Sequence, residues 1–205
     1  MKIAIIGTGN VGSTLAKRFA ENGHQIFLGV RNATDFKGLQ LLTGLKNCSV
    51  HTIEDAVEAA DIVVIAVPAQ FATEVARSLG DVSNKVIIDT MNSALIKPEG
   101  FTNTTDAILA NCNTTDVVKC FNTTGFENLA DPFYNGHGID MFTAGSSTKG
   151  VTIATQLAKQ IGFENVYHFG NNDKFLLIEQ MAMCWINLAI MQKHGRGMAF
   201  KIIKR

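Results

Sequence analysis

Near the amino terminus, Gly7-Thr8-Gly9-Asn10-Val11-Gly12 sets three glycines at the GxGxxG spacing. Where a strand turns into a helix, each glycine has a task. Gly7 permits the tight turn, Gly9 lets backbone approach a pyrophosphate, and Gly12 lets the helix pack close to the strand. The amides and positive dipole end of such a helix hold phosphate. Three glycines alone also fit an ordinary turn that binds nothing, so the flanks decide. Before them runs the β-branched stretch KIAII. After them Val11, Leu15, Ala16, Phe19 and Ala20 recur at helical spacing through residues 10–22, Gly23 ends the helix, and a second apolar run covers 25–28. Strand, turn, helix and strand follow in the order that a dinucleotide site needs.

The end of the second strand speaks to which dinucleotide. An NAD site uses a carboxylate about 20 residues after the glycines, on the ribose hydroxyls. Here the chain reads Gly29-Val30-Arg31-Asn32, and the first acid is Asp35. A guanidinium grips a 2′-phosphate with paired, charge-assisted hydrogen bonds. Arg31, with Asn32 and Lys37 as further donors, therefore points to NADP rather than NAD. A solvated loop arginine is the bland alternative.

These residues need elements to position them. Apolar runs at 62–67 and 85–89 read as buried strands, 117–121 as a sixth strand, 49–52 as a brief third one and 141–144 as a seventh. Helical spacing appears at 54–60, 70–79, 148–161 and 175–192, with Phe71, Val75 and Leu79 sharing a face. Strands alternating with helices imply an α/β, Rossmann-type, doubly wound and mostly parallel sheet. The expected division is a dinucleotide-binding domain over 1–170, then a C-terminal helix and tail over 171–205. Ligands of such sheets lie beyond the carboxyl ends of the strands. The loops expected there are 66–71, 90–93, 121–125 and 143–145.

Composition narrows the class. The 205 residues are 46% hydrophobic and 18% charged, with 18 basic and 18 acidic side chains. That describes a soluble globular chain with an ample core, and without a basic run nucleic acid is not an expected partner. The strand beginning at residue 2 leaves no signal segment, so a cytoplasmic location is expected. Residues 175–191 are the most apolar stretch, but Glu179, Gln180 and Asn187 interrupt it, so no membrane span is expected. Cys48, Cys112, Cys120 and Cys184 show no metal or disulfide spacing and read as reduced thiols.

The strand-end loops lack the groups most chemistries need. They carry no nucleophile elbow, paired carboxylates or metal-ligand cluster. Asp89 is the best lone acid, but capping the next loop explains it more cheaply. His137 and His168 are isolated, and His24 reads as a surface residue. No catalytic acid or base is therefore assigned. Hydride transfer between two ring cofactors fits this emptiness, because it needs alignment more than proton traffic. Hydroxy and keto acids need a proton donor beside the carbonyl.

Four blocks in order, MKIAIIGTGNVGSTLAKRFAENGHQIFLGVRN, DIVVIAVP, VVKCFNTTG and IEQMAMCWINLA, resemble the coenzyme F-420-dependent NADP reductase family. The same domain resembles the reductase portion of the STEAP metalloreductases. The resemblance implies NADPH across the strand ends, a deazaflavin or flavin stacked on the nicotinamide, and a small helical C-terminal part completing the cleft. It implies that Thr8, Asn10 and Val11 join Gly7 and Gly9 at the pyrophosphate, and Arg31 and Asn32 at the 2′-phosphate. Ala66, Val67 and Pro68 are implied to form the wall beneath ribose and nicotinamide. Asn92 is implied near the nicotinamide and Ala144 at its carboxamide. Val30 departs from the small hydroxyl residue usual before the arginine, and residues 111–115 and 131–138 match nothing in the pattern.

Other readings remain open. The acceptor is alternatively a ferric chelate, a quinone, or a keto or imino acid, or the chain is an NADP-binding regulator without catalysis. Related hydroxyacid dehydrogenases and pyrroline carboxylate reductases need a large helical second domain, for which too little chain follows the seventh strand. The apolar residues Leu176, Leu177, Met181, Met183, Trp185, Ile186, Leu188 and Ile190 exceed one helix stripe, which leads us to expect a homodimer.

Overall fold

The computed structural model describes residues 1–205 apart from the side chain of Leu42. Strand β1 (Lys2–Ile6) shows how the layers arise. Its side chains alternate, so Ile3 and Ile5 pack with Leu15 and Phe19, while Ala4 and Ile6 pack with Ala56 and Val57. Burial on both faces demands apolar residues at every position, as in β4 (Ile62–Ile65) and β5 (Val86–Asp89).

Eight strands make one sheet in the order β10-β9-β6-β5-β4-β1-β2-β3. The chain steps from β1 to β2 (Gln25–Gly29) and β3 (Cys48–His51), then returns to β4, β5 and β6 (Val117–Cys120) on the other side. The order 3-2-1-4-5-6 and the parallel pairing throughout these six strands define a Rossmann fold. Helices α1 (Asn10–Glu21), α6 (Phe126–Ala130) and α7 (Thr148–Gln160) cover one face. Helices α3 (Ile53–Ala59), α4 (Ala72–Ser78) and α5 (Thr104–Asn111) cover the other.

Several elements differ from the sequence reading. The 36–47 segment holds only the four-residue α2 (Leu41–Gly44). α5 arises from a polar stretch, because Asn103 caps it by accepting from Asp106 N at 2.8 Å. β7 (Phe133–Tyr134) and β8 (His137–Gly138) form a hairpin in the segment that matched nothing. β9 (Asp140–Ala144) runs antiparallel to β6, and β10 (Asn165–His168) is an unforeseen edge strand parallel to β9. An apolar run carries no mark of strand direction, which the connection and its neighbours decide. Phe71 ends a 3-10 turn and is exposed, whereas Val75 and Leu79 of its expected face are buried. His24 is a core residue, 5% exposed, contacting the Met1 amino group and Gln160.

The C-terminal helix α8 (Phe175–Ile186) ends in a π-helical turn, Asn187–Met191. With the turn before it, this helix is long and apolar enough to cross a membrane by length and composition. Here it packs through Phe175 and Ile178 on Phe142 and Ala144 of β9. The tail is fastened as well. Trp185 Nε1 and Asn128 Nδ2 both donate to the Met198 carbonyl at 2.7 Å, and Arg196 lies over the rings of Phe126 and Trp185 while paired with Glu127.

Candidate dinucleotide site

The glycine turn closes β1 onto α1 as the sequence implies. Gly7 has φ +97°, and a Cβ there would lie 2.5 Å from the Ala66 carbonyl oxygen. A Cβ on Gly12 would lie 1.8 Å from the Gly7 oxygen, so only glycine permits this approach of helix to strand. Gly9 differs, since a Cβ there meets nothing within 4 Å. Its lack of a side chain leaves room in front of the helix, as a phosphate requires.

Gly9 caps α1 without a side-chain bond, and no acid lies in the first turn. Helices α3, α5 and α7, by contrast, have Thr52, Asn103 and Ser147 accepting from their first turns. The amides of Asn10, Val11 and Gly12 thus have no partner within the helix and form its positive dipole end. Thr8 is nearly buried, and its carbonyl accepts from Ser13 Oγ at 2.8 Å. Asn10 is exposed and Val11 half-buried at the mouth. These residues fit a pyrophosphate.

Beyond β2, Arg31, Asn32 and Lys37 share one exposed segment. A Cβ on Gly38 would lie 2.7 Å from Ser13 Oγ and 3.4 Å from Thr8 Cβ, so the end of this segment folds back on the glycine turn. Asn32 Oδ1 accepts from Thr34 N and Oγ1, at 3.0 and 2.9 Å. What Asn32 can offer an anion is its amide N–H.

On the other side of the switch point, Ala66 and Val67 are half-buried against the turn and Pro68 is exposed. Next along the crevice come loop 90–93 and the residues after β6. Asn92 Nδ2 donates to the Asn122 carbonyl at 2.7 Å, and Asn122 Nδ2 donates to Asn92 Oδ1 at 2.9 Å. Asn122 Oδ1 is a buried acceptor that no protein donor reaches among the described residues. Phe121, buried beside Phe19, turns the chain there with φ +66°. For a bulky side chain that conformation costs about 1–3 kcal/mol, and such strain concentrates at ligand sites.

Ala144 does not stand at this edge. Because β9 is antiparallel, Ala144 lies opposite Lys119 inside the sheet, fully buried, and the 143–145 segment points away from the carboxyl ends. Gly145 confirms the direction, since a Cβ there would lie 2.9 Å from the oxygen of Val117, the first residue of β6. The carboxamide role implied for Ala144 is therefore corrected.

The structure also assembles a polar centre that the sequence reading missed. Lys119 Nζ lies 2.8 Å from Asp89 Oδ2 and 2.7 Å from Glu179 Oε1 of α8, and donates to Thr104 Oγ1 at 2.8 Å. Asp89 and Lys119 are fully buried and Glu179 is 3% exposed. Asp89 accepts further from Met91 N, Thr104 Oγ1 and Thr105 Oγ1, at 2.9, 2.6 and 2.7 Å. Both carboxylates are engaged by Lys119, and the loops 66–71, 90–93 and 121–125 carry no acid of their own. A lysine inside the apolar strand VVKC was the available signal, because a buried cation demands a buried partner.

Of the four cysteines, Cys120 is buried and Cys184 exposed. Burial pushes Cys48 and Cys112 up to about 11, and Cys120 higher still, which keeps them protonated and unreactive. His137 and His168 are exposed, and His168 Nδ1 lies 3.2 Å from Thr143 Oγ1. No group of three metal-ligating side chains comes together among the described residues.

Fold and glycine turn together define a Rossmann-fold protein. Residues 2–93 match the family described as NADP oxidoreductase, coenzyme F420-dependent, the family that the four sequence blocks resemble. The F420-dependent NADP reductase of Methanothermobacter thermautotrophicus is 41% identical over 98 residues, 43% of this chain and 42% of that one. The chain thus spans less than half the length of this curated relative. Among solved structures, that of a candidate F420-dependent NADP-reductase from Arthrobacter sp. FB24 covers 100% of both chains with a TM-score of 0.86 at 23% identity. An imine reductase from Streptomyces aurantiacus covers 94% of this chain and 64% of its own, with a TM-score of 0.69 at 16% identity. At these identities the two structures speak for the fold alone.

Proposed function

We propose that the chain is an NADP(H)-dependent oxidoreductase that moves hydride between the nicotinamide and a flat ring acceptor of the deazaflavin or flavin class, such as coenzyme F-420. One observation carries the reading: the uncapped start of α1 behind Gly7–Gly12, with Arg31 and Lys37 on the segment folded beside it. When bound, NADPH supplies the hydride. The α1 amides hold its pyrophosphate, Arg31 its 2′-phosphate, and Ala66, Val67 and Pro68 line the way to the far end of the crevice. There the Asn92–Asn122 pair offers amide groups for orienting a ring.

What borders that end supports this acceptor class. Leu95 and Ile96, 70% and 56% exposed, follow loop 90–93, and Phe71, 39% exposed, ends the neighbouring loop. An apolar rim suits a stacked ring better than a small acid. A keto or imino substrate needs a proton donor, and Asp89 and Glu179 are both spent on Lys119. The deciding experiment is NADPH oxidation against deazaflavin, flavin, quinone, ferric chelate, and keto and imino acids. Turnover with deazaflavin or flavin is expected. Turnover only with keto or imino acids would reassign the reaction, and none at all would leave a binding protein.

The reading extends to assembly. Leu176 and Leu177 of α8 are each almost half exposed, and Ile190 and Met191 continue an apolar surface. A second copy of the chain is the proposed cover, in a homodimer.

A further inference from the structure

Loop 90–93 is held at every one of its residues. Thr90 donates to the Ile65 carbonyl from both N and Oγ1, at 3.1 and 2.9 Å. Met91 N donates to Asp89, and Asn92 is tied to Asn122. Ser93 donates from N to Glu179 Oε2 at 3.1 Å and from Oγ to Glu179 Oε1 at 3.2 Å. Three anchors belong to neighbouring strand ends. The fourth comes from α8, 86 residues away in sequence.

Stability alone is a poor reason for that fourth anchor. Two buried carboxylates sharing one ammonium carry a large desolvation penalty, and apolar residues of like volume are often as stable. A leucine at 179 would match Phe175, Ile178 and Ala182, its apolar neighbours among the buried residues of α8. What it lacks is the pair of acceptor oxygens that fixes both the amide and the hydroxyl of Ser93. Lys119 in turn locks the Glu179 carboxylate, and Asp89 shares that lysine while holding Met91. One ion cluster therefore grips the loop on both sides of Asn92.

We propose that Glu179 is a positioning residue: through Ser93 it sets loop 90–93, and with it Asn92, at the hydride-transfer end of the crevice. This rests on the oxidoreductase reading above. Misplacement of a reacting group by about 1 Å costs on the order of a hundredfold in rate, so a loop held this way affects turnover more than binding.

The test uses Ser93→Ala, which deletes one hydroxyl and leaves the ion cluster intact, and Glu179→Gln, which keeps shape and removes charge. NADPH affinity is read by quenching of Trp185 fluorescence, turnover with the best acceptor, and loop order by amide hydrogen exchange. In both variants kcat should fall at least about tenfold, with NADPH affinity within about twofold. Exchange at Met91 and Ser93 should rise at least about tenfold, with the α1 amides unchanged. Unaltered exchange and kcat in both variants would overturn the proposal, as would equal losses of binding and turnover, the mark of general loosening. If wild-type protein reduces no acceptor, the oxidoreductase reading fails, and loop exchange alone then decides whether Glu179 positions the loop.

Discussion

Lys119 on β6 and Asp89 on β5 meet at 2.8 Å with neither side chain reaching solvent. Strand pairing sets the two residues directly opposite each other, so their heads converge above the sheet between α5 and α8. Thr104 and Thr105 at the start of α5 add hydroxyl donors and the positive end of its dipole to the Asp89 carboxylate. Lys119→Met keeps the stem and removes the ammonium, leaving two buried carboxylates without a cation. Unfolding free energy should drop by about 3–5 kcal/mol, measured by urea denaturation. A loss under about 1 kcal/mol would show that the cluster contributes little to folding.

The glycines of the turn should separate by what a methyl group would strike. Gly12→Ala collides with the Gly7 carbonyl and should destabilise the fold measurably. Gly9→Ala meets no protein atom, so its thermal midpoint should stay at the wild-type value. Its methyl group occupies the space in front of the α1 amides, and dinucleotide affinity should fall at least about tenfold by titration calorimetry. Equal affinity for wild type and Gly9→Ala would move the phosphates away from this turn.

Arg31 should select NADPH over NADH. It is exposed, so water screens its contact with a phosphate, and the gain is correspondingly modest. Arg31→Ala should weaken NADPH binding by about tenfold and leave NADH unchanged. Arg31→Asp should go further, placing at the strand tip the acid that NAD sites use. Added salt should weaken NADPH more than NADH in the wild type. Equal weakening of both cofactors by Arg31→Ala would reduce the arginine to a loop-shaping role.

Neither exposed histidine should be needed for turnover. His137→Ala and His168→Ala are expected to keep kcat within about tenfold, or about 1.4 kcal/mol of barrier. A loss of about a thousandfold in either folded variant would reveal a proton-transfer group that the crevice geometry does not provide.

The outer side of α8 should join two copies. Sedimentation equilibrium at micromolar concentration is expected to give a dimer mass, and Leu177→Glu, placing a charge at an exposed apolar position, should shift it toward the monomer. A monomer mass for the wild type would leave that surface to other partners.

Local pattern determined much of this protein. GxGxxG between an apolar strand and a helix marked the tight turn from β1 to α1 that Gly7 and Gly12 close. Runs such as IVVI and VIID marked central strands, because burial on both faces leaves one composition. Tertiary structure decided the remainder. The direction of β9 depends on how the chain returns after the β7–β8 hairpin, and that direction removed Ala144 from the crevice. His24 reads as a surface residue after a glycine, yet the chain's own amino terminus and Gln160 of α7 enclose it. Glu179 reads as a polar break in an apolar helix, and becomes an anchor only when α8 is laid over β9 with Lys119 beneath. Asn122 gained its place from Phe121, whose left-handed turn aims the amide at Asn92. Spacing records what neighbours in the chain can do together. Pairings across 30 residues, as between Asp89 and Lys119, or 86, as between Ser93 and Glu179, depend on strand order and helix docking, which only the folded chain fixes.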